Sequence, residues 1–162
     1  MRESTAQKSA ADQQMSEDLE GKFMTFKLAD EEYGLQIMKV REIIGLMDIT
    51  RVPKSDYFIK GVINLRGKVI PVVDLRLKFG MQEAEATDQT VIIVVQISTE
   101  HGESTMGILV DEVLEVMNIT ANQIEPPPSM GSDATSLDFI LGIGKSGKKV
   151  IFLLDIDKVL GN

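Results

Sequence analysis

From Phe23 onward the chain is written in short apolar runs rich in Val, Ile, Leu, Met and Phe, broken by Gly, Asp and Glu at intervals that predict an all-β barrel or sandwich. Phe23, Met24, Phe26 and Leu28 begin the first run, and Ala29-Asp30-Glu31-Glu32 reads as a turn into Tyr33 to Ile37. A third run covers Val40 to Leu46. Gly61 to Leu65 and Lys68 to Val73 flank Arg66-Gly67, where glycine takes the positive φ of a tight turn, and this predicts a hairpin.

The second half repeats the first, and such self-similarity constrains architecture before any single residue does. Val40 to Thr50 aligns without gaps on Val110 to Thr120, with Val, Glu, Met, Ile and Thr recurring in register. Phe58 to Val62 aligns on Phe139 to Ile143, and Lys68 to Leu75 on Lys149 to Ile156, at one constant offset that ends with Gly80 on Gly161. Gly34 matches Gly107. Each half therefore offers about five strands in one order, enough for a small closed barrel, and the chain reads as two such barrels packed on each other.

Helical signals are few. Pro53 to Phe58 has room for a short turn of helix, while Asp74 to Phe79 and Asp155 to Leu160 each open with an N-cap aspartate and stop at glycine. Glu125 to Asp133 carries three prolines and predicts a loop. Residues 1–21 are rich in Ser, Ala, Gln, Asp and Glu and predict a disordered tail, because too little apolar surface is available to offset ordering entropy.

Charge and composition then remove several functions. Lys and Arg number 17 against 25 Asp and Glu, a net charge of −8, which opposes broad binding to nucleic acid or anionic lipid. The absence of cysteine excludes disulfides, thiolate metal sites and cysteine nucleophiles. No secretory h-region opens the chain, and runs such as Val91 to Val95 are far too short to span a bilayer, so a cytosolic location without membrane insertion is expected.

Candidate chemistry is sparse. His101 sits alone in a polar stretch that reads as an exposed hairpin connection. Asp155-Ile156-Asp157 lacks the spacing and third acidic ligand of a cation loop, and a helix cap accounts for it equally. Gly142 to Gly147 ends in Gly-Lys-Ser-Gly without the Walker spacing or a following helix, and so predicts a hairpin turn. No serine has a partnered histidine, and no cofactor is implied. The apolar excess has two destinations, a core shared by the lobes and an interface with other proteins.

The string from Phe58 to Arg76, with Gly61-Val62-Ile63-Asn64-Leu65-Arg66-Gly67-Lys68-Val69-Ile70-Pro71-Val72-Val73-Asp74-Leu75-Arg76 at its centre, resembles the CheW family of bacterial chemotaxis coupling proteins. Asp30 to Gly34 leading to Val40 to Ile43, and Gly107 to Asp111 leading to Val113 and Val116, extend the resemblance over about 22–161. It implies a CheW-like domain of two five-stranded SH3-like β-barrel subdomains on a shared hydrophobic core, with sequence halves of about 22–88 and 89–161. It further implies a non-enzymatic adaptor that couples the cytoplasmic hairpin tip of chemoreceptors to the regulatory domain of the histidine kinase CheA. By position, the receptor-facing groove between the lobes would include Val40, Glu42, Gly61, Asn64, Leu65, Arg66, Val91, Val113 and Val116. Arg66 is the expected polar anchor, since a guanidinium can hold a receptor carboxylate through two hydrogen bonds. The alternatives are a paralogue serving a non-chemotaxis receptor-kinase pathway, a small-barrel nucleic-acid binder and an enzyme, the last two opposed by charge and by the missing chemistry.

Overall fold

A computed structural model describes residues 9–127 and 139–161. Eleven strands are described: β1 (Gly21–Leu28), β2 (Glu31–Gln36), β3 (Val40–Gly45), β4 (Ile59–Leu65), β5 (Lys68–Asp74), β6 (Val91–Thr99), β7 (Gly102–Val110), β8 (Glu112–Ile119), β9 (Ile124–Glu125), β10 (Ile140–Ser146) and β11 (Lys149–Leu154). Helices α1 (Ala10–Leu19), α2 (Leu75–Lys78) and α3 (Ile156–Gly161) accompany them. The strands form two sheets, β8-β1-β2-β11-β10-β9 in what we term lobe A and β3-β6-β7-β5-β4 in lobe B. The all-β expectation is met.

Both sheets close on themselves. Beyond β3 the chain bends so that Thr50 exchanges two hydrogen bonds with Val62 on β4 (2.9 and 2.8 Å), and β9 does the same service for β10 in lobe A, with Ile143 opposite Glu125. Closure removes the free edges that would otherwise pair with other chains.

The repeat is real to the level of single hydrogen bonds. Asp74 N donates to Phe58 O and Asp155 N to Phe139 O, both at 2.8 Å. A bulge lies between Ile59 and Gly61 on β4 and between Ile140 and Gly142 on β10. Gly107 faces Val72 across the parallel pair β5/β7, as Gly34 faces Leu153 across β2/β11. The lobes, however, are not the sequence halves: the β1/β2 hairpin sits between β8 and β11, whereas β6/β7 sits between β3 and β5. The two leading hairpins are exchanged, so no lobe boundary falls near residues 88 and 89. A single residue, Asp111, links β7 to β8. A hairpin needs at least about two loop residues, so the chain runs on into the other lobe.

Three other expectations change. The gapless match of Val40–Thr50 to Val110–Thr120 ends before the closing residues. The place of Ile49-Thr50 beside Gly61 is taken beside Gly142 by Ile124-Glu125. A 3-10 turn over Ala121–Gln123, opened by a Thr120/Gln123 capping box, accounts for the offset. Pro53 to Phe58 forms turns rather than helix, with Lys54 at φ 61°, a left-handed value that breaks helical propagation. Within the expected tail, Ala10–Leu19 is helical, because Ser9 caps its first turn and Met15 and Leu19 find apolar surface on lobe A. Residues 1–8, and the part of the expected 125–133 loop from residue 128, lie outside the described residues.

The continuous apolar run of β6 follows from burial on both faces. Ile92 and Val94 fill the interior of lobe B with Ile63, Ile70 and Val72, while Ile93, Val95 and Ile97 join the central core. That central core takes Phe26, Leu28, Tyr33 and Leu35 from lobe A and Ile108 and Val110 from lobe B, so the lobes share one hydrophobic body. Lobe A has its own interior of Phe23, Ile119, Ile124, Ile151 and Leu153.

A polar clasp holds the corner between β7 and β8. Arg76 binds Asp111 through Nε (2.8 Å) and a second guanidinium nitrogen (2.5 Å), and Asp111 also accepts from Ala29 N (2.7 Å), whose residue stands at φ 55°. The guanidinium holds the Asp111 carboxyl below its ordinary value, against the opposing effect of partial burial, and the Ala29 amide assists. A depressed folded-state pKa means the stabilisation is complete above the unfolded value of about 4 and is lost as pH falls through the folded one. Asp111→Asn is therefore expected to lower stability at pH 7 by about 2 kcal/mol and to flatten the acid limb of a urea-unfolding pH series. Asp74, 4% exposed and capping α2 through Arg76 N and Leu77 N, has the opposite tendency, because burial raises its carboxyl.

Candidate functional site

The turn joining β4 to β5 is Arg66-Gly67, with φ values of 52° and 87°. Two successive left-handed residues define the primed turn that suits the twist of a hairpin, and its first position ordinarily takes Asn, Asp or Gly. Arginine there departs from that preference. Asn64 Oδ1 accepts from Gly67 N at 2.8 Å and fixes the turn from within the strand.

Because the sheet closes, this turn meets β3. The Arg66 guanidinium binds the Glu42 carboxylate, the arginine remaining 69% exposed and the glutamate 34%. Glu42 owes its direction to a bulge: Val40 opposes Val95 and Glu42 opposes Val94, leaving Arg41 as the extra residue, and bulges re-aim the side chains that follow them. Arg41, Glu42, Leu65, Arg66 and Lys68 line a shallow groove of about 340 Å³. Three cationic side chains and one carboxylate line it, so the groove favours an acidic partner.

The nine expected site residues do not form one patch. Glu42, Leu65 and Arg66 share the groove, and Asn64 shapes the turn beside it. Val40, Val91 and Val113 are half-buried against the central core at the junction of the lobes. Val116 is 50% exposed on β8 of lobe A, opposite Met24. Gly61 is buried, and a Cβ there would lie 2.2 Å from Thr50 O, on the segment that closes the barrel. Arg41 and Lys68 were missed, although each directly adjoins or nearly adjoins a residue of the pair. Ile43, Leu46, Met47, Val52 and Tyr57 are also exposed on the β3 strand and the loop after it, and their apolar character was visible without any sign that they face solvent.

The residues weighed for chemistry are otherwise engaged. Asp157 accepts from Lys39 Nζ (2.8 Å) and from Ser98 N (2.9 Å), and Asp155 Oδ1 caps α3 through Lys158 N (3.2 Å). His101 lies in the exposed β6/β7 turn, and Gly147-Lys148 is the β10/β11 turn. Among the described residues no group of three His, Asp or Glu could hold a metal ion, and no helix is long and apolar enough to cross a membrane.

Two closed barrels on one core, with an exposed charged turn and apolar strand surface, define a scaffold built for protein contacts. Comparison places it further. The model of the CheW-like domain matches residues 22–162. Chemotaxis protein CheW of Klebsiella aerogenes is 40% identical over 86% of this chain and 81% of that protein, and CheW of Helicobacter pylori 34% identical over 85% and 80%. The crystal structure of scaffolding protein TtCheW from Thermoanaerobacter tengcongensis superposes with a TM-score of 0.75 at 36% identity, over 89% of this chain and 94% of that one. The chain belongs to the CheW-like family of non-enzymatic scaffolds, and its fold is the pair of SH3-like β subdomains of that family.

Proposed function

We propose that this protein is a chemotaxis adaptor that couples chemoreceptors to the histidine kinase CheA, working in the cytoplasm at membrane-associated receptor arrays. The observation that carries the reading is the Arg66/Glu42 pair, held by a left-handed turn at the rim of a cationic groove. A turn that keeps an unfavoured residue in an unfavoured conformation points to selection for contact rather than for stability. The names of the relatives support the chemotaxis setting. Under this reading Arg66 exchanges its internal carboxylate for one on the receptor hairpin tip, with Leu65 and the junction valines Val40, Val91 and Val113 supplying apolar contact.

The exposed apolar side chains on and after β3, Ile43, Leu46, Met47 and Val52, suit the regulatory domain of the kinase, leaving the turn for the receptor. Each contact need only be moderate, because multivalency in an array multiplies weak affinities. Signal transmission then requires contacts whose strength differs between receptor states. Co-sedimentation of the purified protein with receptor-bearing membranes and kinase is the test. The expected result is joint recovery of all three; a folded protein that sediments with neither partner would sink the coupling role.

A further inference from the structure

The two lobes end differently. In lobe A, Leu19 of α1 packs over Ile124, with its Cδ1 3.4 Å from where a Cβ on Gly142 would stand. In lobe B the matching residues are Ile49 and Gly61, and Ile49 lines a hollow of about 300 Å³ between the β3/β4 loop, the start of α2 and the irregular segment before β6. Leu46, Met47, Ile49 and Ala84 give it apolar walls. Small-molecule sites span about 300–1,000 Å³, so the hollow suits a small group.

Its charges are unevenly matched. Lys60 is taken by Glu83 (2.7 Å), and Arg76 by Asp111 (2.8 and 2.5 Å). Asp48, Asp74 and Glu85 also line the hollow, and among the described residues none of the three forms an ion pair. Asp74 is the deepest of them, 4% exposed, and only its Oδ1 has a donor: Arg76 N at 3.1 Å and Leu77 N at 3.4 Å. Among the described residues Oδ2 accepts no hydrogen bond. A buried carboxylate oxygen without a donor is costly, and burial pushes the Asp74 carboxyl up, against the two amides and the Lys60 charge. Capping does not demand this burial. Asp155 caps α3 at the matching place, through Lys158 N, while only half-buried.

We infer that this hollow is a binding site for a guanidinium group on a short alkyl stem, with Asp74 as its buried anchor and Asp48 and Glu85 beside it. A metal ion does not suit the site, because among the described residues no three acidic groups converge as ligands and apolar walls offer a bare ion nothing. A guanidinium is planar and weakly hydrated, and its forked donors reach Asp74 Oδ2 and a second carboxylate together, which a single ammonium does less well. The wall already holds one group of this kind, since Asp111 grips Arg76 through two N–H donors. The site shares no lining residue with the Arg66 groove and takes the opposite charge. Its ligand is a free alkylguanidine or an arginine side chain presented by another protein.

The test is titration of the full-length, nitrogen-15-labelled protein with butylguanidinium, followed by amide NMR shifts, with neutral butylurea as control. Saturable shifts confined to residues 46–49, 74–77 and 84–86 are expected, with a Kd of about 1 mM or tighter, and no saturation by butylurea. Asp74→Asn keeps an oxygen for the α2 cap and removes the charge, so it is expected to weaken binding at least about tenfold, whereas Asp155→Asn leaves binding unchanged. If Asp74→Asn fails to fold, the exposed pair Asp48→Asn/Glu85→Gln carries the same test, with a loss of at least about threefold. A capped tripeptide with arginine at its centre identifies the source: tighter binding than butylguanidinium assigns the site to a protein side chain, weaker binding to a free alkylguanidine. Equal responses to butylguanidinium and butylurea, shifts centred outside the hollow, or full affinity in the folded carboxylate variants would overturn the inference.

Discussion

Replacing Gly61 with alanine is expected to destabilise the protein by roughly 3–5 kcal/mol, combining backbone strain with overpacking, while the matched change Gly142→Ala costs about 1–2 kcal/mol. At Gly61 φ is 149°, and the added methyl would stand 2.2 Å from Thr50 O and 2.8 Å from Ile49 Cγ2. The obstructing atom is backbone, and it belongs to the residue that closes lobe B by its two hydrogen bonds to Val62. Relief requires the closing segment to move outward and those bonds to lengthen. At Gly142 the corresponding distances are 3.1 Å to Glu125 O and 3.2 Å to Ile124 Cγ2, which small shifts accommodate. Urea unfolding of the two variants checks the ordering. Equal losses at both positions would mean that closure at Thr50 does not limit lobe B.

Arg66→Glu is expected to abolish receptor-dependent kinase activation with the fold intact. The substitution faces Glu42 with a like charge and turns a cationic rim toward neutrality, so an acidic receptor surface loses both its anchor and its steering field. The double change Glu42→Arg/Arg66→Glu separates the two uses of the arginine. It restores the internal pair but presents the partner with the charges exchanged, and activation is expected to stay absent. Recovery of activation by the double variant would show that Arg66 acts only by holding Glu42. Arg66→Gly adds a further contrast: it relaxes the left-handed residue and is expected to raise thermal stability while weakening receptor coupling. Stability and function moving in opposite directions at one residue is the signature of a turn kept for contact.

The hairpin with Arg66 at its tip was legible because Gly67, the flanking β-branched runs and the family string coincide within a few residues. Its pairing with Glu42 was not. Those two residues are separated by β3, the loop after it and β4, and they meet only because the sheet closes and because the bulge at Arg41 turns Glu42 toward the rim. Likewise Val40, Val91 and Val113 were placed in a groove, yet they back onto the central core. Their alternation along the strands is the same whichever side is open to a partner.

By itself the sequence determined the all-β class, the repeat that carries Phe58–Gly80 onto Phe139–Gly161 at one offset, the caps at Asp74 and Asp155, and both hairpin turns. Each depends on local chemistry: side-chain alternation, a capping carboxylate or a glycine at positive φ. The tertiary structure alone decided which hairpin belongs to which lobe. The β1/β2 and β6/β7 hairpins hold matching places in the two sheets, each setting a glycine, Gly34 or Gly107, against its parallel partner. The choice was made by connection length, since one residue between β7 and β8 cannot turn back. It also decided the fate of α1, whose polar composition predicts disorder until the end of lobe A offers Met15, Ser16 and Leu19 a surface to bury against.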